Sequence, residues 1–188
     1  NQIETQVWDM IPSLKKVEPE EGVTVVEAMP EVTFVESKMP GWYRITLDGN
    51  CKVEAADEDG AFYAKVTIDN LRRNAGGNEL PNLVIEDWPD LGYRGLMLDI
   101  SRNFTTKDNI LKLIDLLAHY KVSVFHLHFG DDEGWRLDIE KFPELTAYGA
   151  HHAFPEKNAE GEYIETEYLM PSYNGSVDPS DMSSSANG

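Results

Sequence analysis

Two groups of charged and polar side chains in this sequence each follow a short apolar run. The first group lies within residues 99–102 and the second within residues 126–133. An arginine fork can bind adjacent polar atoms, neighbouring carboxylates can transfer protons, and two histidines on one strand face can hold a divalent metal ion. The residue types therefore indicate a binding or catalytic site, and more than one chemistry is open at this point.

The apolar runs and the segment between them predict a strand, a helix and a second strand. Residues 94–100 are long enough for one buried strand, residues 107–120 carry apolar side chains at helical spacing, and residues 122–129 alternate as a strand. Thr105 or Thr106 can cap the helix. Two strands joined through one helix by short turns form a parallel βαβ unit. Both strands then deliver polar residues to one edge, as the strands of a (β/α) barrel do.

Separated motifs in a fixed order connect this part of the chain to a known family. They are Tyr93-Arg94-Gly95-Leu96-Met97-Leu98-Asp99-Ile100-Ser101-Arg102, then Asp131-Asp132-Glu133-Gly134-Trp135-Arg136, and then Phe142-Pro143-Glu144-Leu145. The run 93–150 resembles the start of the catalytic barrel in family 20 glycoside hydrolases, the β-N-acetylhexosaminidases. Residues 59–64 and 82–89 are similar to the non-catalytic domain that precedes that barrel in the family.

The resemblance implies an α/β fold class in two parts. Residues 1–90 are expected to form a small α+β domain, an antiparallel sheet with a helix, that has no chemistry of its own. Residues 91–188 are expected to hold the first two βα units of a TIM-type barrel and to end in a long loop. Within the first part, turn residues and alternation predict strands at 23–28, 32–37, 42–47, 52–56 and 83–85 and a helix at 61–73.

The activity implied by the resemblance is removal of terminal β-linked N-acetylglucosamine or N-acetylgalactosamine from glycans, without a cofactor. In that family the acetamido oxygen of the sugar attacks the anomeric carbon, a glutamic acid protonates the leaving oxygen, and an aspartate orients the acetamido group. The family carries this Asp-Glu pair on a later strand, so we expect it beyond Gly188. The 188-residue chain is therefore expected to be a fragment with no catalytic residue and no activity of its own.

Four residues take roles from the resemblance. Arg102 matches the arginine that binds hydroxyls of the non-reducing sugar, with an exposed salt bridge as the alternative. Asp131 matches the carboxylate that holds a later histidine beside the general acid, with a turn cap as the alternative. Asp99 and His128 are expected to support the active site from the barrel interior, where hydrogen-bonded core roles are equally open.

One local pattern suggests a different assignment. Residues 128–133 nearly reproduce the family's catalytic motif His-x-Gly-Gly-Asp-Glu, which would make Asp132 and Glu133 a general-acid pair. The segment lies one βα unit after Ser101-Arg102, and Gly134-Trp135-Arg136 follows it. That order matches the family's second strand, Asp-Asp-Gln-Gly-Trp-Arg, with Glu133 in place of Gln, so we assign the acid role to neither carboxylate.

Two other functions stay open. His126 and His128 share one strand face with Asp131 nearby, which is a plausible divalent-metal pair for a barrel metallohydrolase. The sequence supplies no convincing third histidine or cysteine ligand, and we predict no metal site. The chain could also be a non-catalytic structural fragment.

The overall composition excludes some classes of partner. A formal net charge of −18 argues against nucleic acid, because phosphate binding needs basic patches. No apolar stretch approaches transmembrane length. Cys51 is the single cysteine, so an internal disulfide is impossible and the compartment is left open. The chain begins at Asn1 without an initiator Met, as a processed or trimmed product would, and the family resemblance favours a secreted or periplasmic location.

The last part of the chain, residues 151–188, differs from the rest in its composition and in its lack of a regular apolar pattern. It has seven acidic side chains against a single lysine and little periodicity. We expect a long loop there with at most local structure. Two strands without their barrel neighbours leave open edges and an apolar strand face without its partners, so Met97, Phe125 and Leu127 need to be covered. We therefore expect this part to self-associate or to be covered by the N-terminal domain.

Overall fold

The computed structural model describes residues 6–36, 39–132 and 134–169. The chain divides into two compact units: Asn1–Arg94 with Leu117–Ser123, and Gly95–Leu116 with Val124–Gly188. Among the described residues, the helices lack the combined length and apolarity that a membrane-spanning segment requires.

The first unit is built on a five-stranded sheet in the order β1-β5-β3-β4-β2. Its strands are β1 (Lys16–Val25), β2 (Val32–Phe34), β3 (Tyr43–Leu47), β4 (Cys51–Ala55) and β5 (Glu79–Asp87). The predictions for β3 and β4 are confirmed to within one residue. The prediction for β1 is wrong over most of its length: we predicted 23–28, whereas β1 spans Lys16–Val25. The reason is that β1 lies at the edge of the sheet. An edge strand tolerates the charges and Pro19 that hide the alternation, and its register shifts between Pro19 and Val23.

The sheet is mixed, which corrects the predicted antiparallel sheet. β1 with β5, β3 with β5, and β3 with β4 pair antiparallel. β2 pairs parallel with β4, with Val32 opposite Val53 and Phe34 opposite Ala55. The chain reverses direction between β2 and β3 and again between β3 and β4, so β2 and β4 run the same way when they become neighbours.

Helix α1 (Glu58–Ala75) has strong local signals at both ends. The Asp57 side chain accepts a hydrogen bond from the Gly60 N–H at 2.8 Å, which is an N-cap. At the other end Gly76 adopts a left-handed conformation with φ of 71° and closes the helix. The helix therefore begins one turn before the predicted 61–73 and ends two residues after it.

The core of the first unit lies between α1 and one face of the sheet. The predicted apolar stripe of α1 is confirmed, since Ala64, Ile68 and Leu71 are buried. Close packing requires Gly60, because a Cβ there would lie 2.3 Å from the Trp42 carbonyl oxygen. The sheet contributes the buried side chains Tyr43, Ile45, Leu47, Val53, Ala55, Leu80, Leu83 and Ile85.

The second unit starts with the predicted strand, helix and strand. They are β6 (Gly95–Asp99), α2 (Lys107–His119) and β7 (Val124–His128), and the two strands pair in parallel. Thr106 is the helix cap, since its Oγ1 accepts a hydrogen bond from the Asn109 N–H at 3.3 Å. On the strands, Met97 is 57% exposed, whereas Phe125 and Leu127 are half-buried.

The expectation of a long loop after residue 150 is wrong for its first part. After the short helix α3 (Glu144–Ala147), the strands β8 (His151–Lys157) and β9 (Tyr163–Leu169) form an antiparallel hairpin. In the turn the Asn158 side chain accepts hydrogen bonds from the N–H groups of Glu160 and Glu162. The Tyr163-Ile164-Glu165-Thr166-Glu167-Tyr168 run has β-forming residue types that the acidic composition obscured. Residues 170–188 lie outside the described residues.

The first unit also contains a buried ion pair. Lys121 follows α2 in a left-handed conformation, with φ of 56°, and its N–H and that of Val122 bond to Ala118 and Leu117 in a Schellman motif. The Lys121 Nζ lies 3.1 Å from Asp87 Oδ2 and donates to the Tyr43 hydroxyl at 2.8 Å. A glycine would suit this backbone better, so the side-chain contacts offset the conformational cost.

Candidate functional site

The polar residues that follow β6 and β7 lie together at one edge of the two-stranded sheet. Asp99, the last residue of β6, is paired in register with His128, the last residue of β7. Arg102 and Asp131 each come three residues after those strand ends. Because the strands are parallel, their carboxyl ends meet at the same edge. The four residues named as candidates from the sequence are therefore neighbours.

The Arg102 guanidinium is held between two carboxylates. Its Nη1 donates to Asp99 Oδ2 at 2.7 Å, and its Nη2 lies 2.7 Å from Asp131 Oδ2. The other oxygen of Asp99 accepts the N–H groups of Ser101 and Arg102 at 2.9 and 3.1 Å. Asp99 therefore shapes the turn after β6 and also orients the arginine. The Arg102 side chain is 45% exposed, so its fork can be reached by a ligand.

Asp131 joins the second strand to this arrangement. Its Oδ2 lies 2.8 Å from His128 Nε2, and its Oδ1 accepts the N–H of Asp132 at 2.8 Å. One carboxylate oxygen thus serves both His128 and Arg102. Oδ2 of Asp131 therefore lies in the ion pair with Arg102, and Oδ1 accepts a backbone hydrogen bond from the next residue.

The hydrogen bonds around the carboxylates favour their ionised forms. The backbone N–H of Asp132, with the Asp132 and His128 side chains and the charge of Arg102, lowers the pKa of Asp131 to about 2. For Asp99, partial desolvation raises the pKa, but hydrogen bonds from Arg102 and Ser101 outweigh it and leave the pKa below its usual value. The bond to Asp99 raises the pKa of Arg102. The site therefore keeps its charges at physiological pH.

A third segment packs against the end of β6. Arg136 is fully buried, and its guanidinium donates to the carbonyl oxygens of Ile100, Ser101 and Ala150 at 3.0, 2.7 and 3.0 Å. The Arg136 N–H bonds to the Phe129 carbonyl at 2.9 Å. The residues after β7 therefore fold back onto the end of β6.

The metal hypothesis finds no ligand set in the described part of the chain. His126 is exposed, and its ring centroid is 6.4 Å from that of His128. Within residues 6–36, 39–132 and 134–169, no group of three or more His, Cys, Asp or Glu side chains is arranged to hold a metal ion. Asp132 is exposed, and Glu133, the other carboxylate of the acid pair that the sequence analysis rejected, lies outside the described residues.

Comparison with known families decides the membership of the chain. Residues 11–88 match the model described as glycosyl hydrolase family 20, domain 2, and residues 91–175 match the one described as glycosyl hydrolase family 20, catalytic domain. The chain belongs to glycosyl hydrolase family 20. The resemblance and the fold class predicted from the sequence are confirmed.

Relatives and solved structures in family 20 agree with this membership. Over 115 residues the chain is 45% identical to the N,N'-diacetylchitobiase of Vibrio harveyi, covering 61% of this chain and 13% of that protein. Over 112 residues it is 43% identical to a beta-hexosaminidase of Vibrio furnissii, covering 58% of this chain and 18% of that protein. A beta-N-acetylhexosaminidase crystal structure superposes with a TM-score of 0.67 at 26% identity, covering 88% of this chain and 34% of the other. The chain thus spans only a small part of each relative's length.

Arg136 is the residue at this edge that the sequence analysis did not single out. Gly134-Trp135-Arg136 served there only as a marker of family 20. Its burial had no clear signal in the sequence, since arginine side chains are mostly exposed. The carbonyls that accept its guanidinium hydrogen bonds belong to the main chain, and no sequence pattern identifies those acceptors.

Proposed function

We propose that the protein carrying this sequence is a β-N-acetylhexosaminidase that removes terminal β-linked N-acetylglucosamine or N-acetylgalactosamine by substrate-assisted, retaining hydrolysis. In this proposal residues 1–90 form the non-catalytic domain and residues 91–188 the first two βα units of the catalytic barrel. Family membership supports the reaction class. The observation that carries the assignment to this part of the chain is the exposed Arg102 fork, held by two carboxylates at the carboxyl ends of two parallel strands.

Arg102 is the proposed substrate-binding residue. A guanidinium has several N–H donors in a planar fork, and the ion pairs with Asp99 and Asp131 engage one donor on each Nη atom. Donors remain on this partly exposed group for adjacent hydroxyls of the terminal sugar. Because its orientation is set before the ligand arrives, less conformational freedom is lost on binding.

Asp99, Asp131 and His128 are the proposed supporting residues. Asp99, the last residue of β6, orients Arg102 in the turn that follows the same strand. Asp131, in the turn after β7, orients the same guanidinium and is itself in contact with His128. The reaction needs one carboxylic acid that transfers a proton and one carboxylate that orients the acetamido group. We assign neither role to a residue of β6, β7 or the turns that follow them. In this proposal residues 1–188 therefore bind the sugar and supply no reacting group.

Activity assays test the proposal directly. The protein expressed from its complete gene is expected to hydrolyse a chromogenic β-N-acetylglucosaminide and to leave the matched β-glucoside, which lacks the attacking acetamido group, essentially untouched. The 188-residue chain alone is expected to be inactive on both. Equal turnover of the two substrates would contradict the substrate-assisted mechanism. Turnover by the 188-residue chain that disappears in Glu133→Gln would instead make Asp132 and Glu133 the acid pair.

A further inference from the structure

The segment after β7 packs against the main chain that immediately precedes Arg102. We propose that Arg136 and Gly134 are positioning residues, which act on Arg102 through the main chain of Ser101. The inference rests on the proposed sugar-binding role of Arg102 and extends it to two residues for which we have proposed no role.

Arg136 holds the main chain immediately before Arg102. Its Nη2 donates to the Ser101 carbonyl at 2.7 Å, and its Nε donates to the Ile100 carbonyl at 3.0 Å. The peptide that links Ser101 to Arg102 therefore has its carbonyl bound by a buried guanidinium. A third bond, from Nη1 to the Ala150 carbonyl at 3.0 Å, anchors the same fork to the start of β8.

Gly134 permits this contact by its lack of a side chain. Its φ is 70°, a left-handed conformation that favours glycine. A Cβ at this position would lie 2.2 Å from the Ser101 carbonyl oxygen and 2.7 Å from Arg136 Nη2. Any larger residue would therefore push directly on the carbonyl that Arg136 binds.

The tryptophan between these two residues holds the segment in place. The Trp135 ring packs edge-on against Phe129, with ring centroids 6.3 Å apart. A Cβ on Gly130 would lie 2.5 Å from the Trp135 ring, so the ring lies directly against the turn that follows β7. Arg136 consequently donates its hydrogen bonds from a packed segment.

Arg102 is thereby fixed at both of its ends. Ser101 is completely buried, whereas the next residue, Arg102, is exposed. The buried end is held by Arg136 at the main chain, and the exposed guanidinium is held by Asp99 and Asp131. A buried guanidinium has to keep its hydrogen bonds, and a lysine ammonium lacks the planar fork that reaches three carbonyls. Loss of the Arg136 fork should therefore release the Ser101 peptide and misplace Arg102.

A double-mutant cycle in the protein expressed from its complete gene separates positioning from general stability. Arg136→Lys should lower kcat/KM on a chromogenic β-N-acetylglucosaminide by about tenfold or more, mainly through KM. In an Arg102→Ala background the same change should cost less than about threefold, because the residue it positions is already gone. Lys112→Met, on the exposed surface of α2, is the matched control and should change neither value. Equal losses in both backgrounds, or no loss at all, would overturn the proposal.

Gly134→Ala provides a second route if Arg136→Lys does not fold. It keeps Arg136 and should give the same pattern in the cycle, because it displaces the same carbonyl. Hydrogen exchange tests the same idea without an activity measurement. The N–H groups of Ser101 and Arg102, which bond to Asp99, should exchange slowly in the unaltered protein and faster in either variant. Fast exchange at both in the unaltered protein, or unchanged exchange in a folded variant, refutes the positioning role. An unaltered protein that turns over no N-acetylglucosaminide but shows this exchange pattern refutes only the proposed function.

Discussion

Arg102 and Asp131 form an ion pair in which Nη2 of the guanidinium lies 2.7 Å from Oδ2 of the carboxylate. The two residues lie in the turns that follow β6 and β7, and they meet because those strands run in parallel and in register. The pair is partly exposed, with 45% of the arginine side chain and 22% of the aspartate side chain accessible. Exposed pairs contribute little to stability. Its value is therefore in holding the arginine fork in a defined orientation.

Removal of the fork should weaken catalysis by the protein expressed from its complete gene. Arg102→Ala is expected to lower kcat/KM by roughly tenfold or more, because the charge-assisted hydrogen bonds from the guanidinium to the sugar hydroxyls are lost. Arg102→Lys should recover only part of that loss, because an ammonium cannot span two carboxylates and a sugar together. Steady-state kinetics check this, and full activity in Arg102→Ala would exclude a role in substrate binding.

The two neighbouring aspartates should not be equivalent. Asp131→Asn removes the charge next to Arg102 and His128, so it is expected to reduce kcat/KM more than Asp132→Asn, whose side chain is exposed. The comparison is internally matched, since both variants make the same chemical change one residue apart. The opposite order would mean that the residue-level correspondence with the family is displaced by one position.

The acid stability of the chain should contain a contribution from Asp131. Its pKa is lowered from 3.8 to about 2 in the folded state. Because the folded value lies below the ordinary one, ionised Asp131 stabilises the fold fully above about pH 4, and that stabilisation is lost as the pH falls towards 2. Denaturant unfolding between pH 2 and 5 should therefore show a smaller pH dependence in Asp131→Asn. Glu140→Gln, at an exposed loop position, is the control, and an equal change in both variants would contradict the expectation.

The buried pair of Lys121 and Asp87 should matter far more to stability than the surface pairs do. Burial lowers the pKa of Lys121, while the charge of Asp87 and the hydrogen bond to it act in the opposite direction. Lys121→Met leaves a buried carboxylate without its cation and is expected to reduce the free energy of unfolding by about 3–5 kcal/mol. Lys65→Met, which removes an exposed partner of Asp69, should cost less than about 0.5 kcal/mol.

The matching double variant tests the coupling between Lys121 and Asp87. Lys121→Met combined with Asp87→Asn should cost less than the sum of the single changes, because no isolated charge is left. Additive losses, measured by denaturant unfolding, would show that the pair is not coupled.

The apolar surface of the second unit leads us to expect self-association of the 188-residue chain. Its exposed apolar side chains include Leu96, Met97, Leu111, Ile114, Leu116, Leu137, Phe142 and Tyr148. Exposed apolar surface favours association in water. Light scattering should show species larger than a monomer, and Met97→Gln with Leu116→Gln should reduce them. A strictly monomeric chain at high concentration would contradict this prediction.

The sequence alone predicts those helices and strands whose apolar periodicity and terminal capping residues lie within a short stretch of the chain. Helix α1 could be predicted because its apolar stripe and its terminal Gly76 are encoded within a few residues of one another. The strand, helix and strand from β6 to β7 could be predicted because their apolar patterns match helix and strand periods. The candidate site followed, since parallel strands bring Asp99, Arg102, His128 and Asp131 to one edge.

Tertiary structure alone decided the contacts between segments that are distant in sequence. The parallel pairing of β2 with β4 and the extension of the edge strand β1 along β5 depend on which strands become neighbours. The hairpin of β8 and β9 is local in sequence, and it was not predicted because the acidic composition hides its cross-strand pattern. The hydrogen bond from Arg136 to the Ser101 carbonyl and the ion pair of Lys121 with Asp87 also join residues that are distant in sequence. Burial makes these bonds valuable by excluding competing water, and burial is a property of the assembled fold.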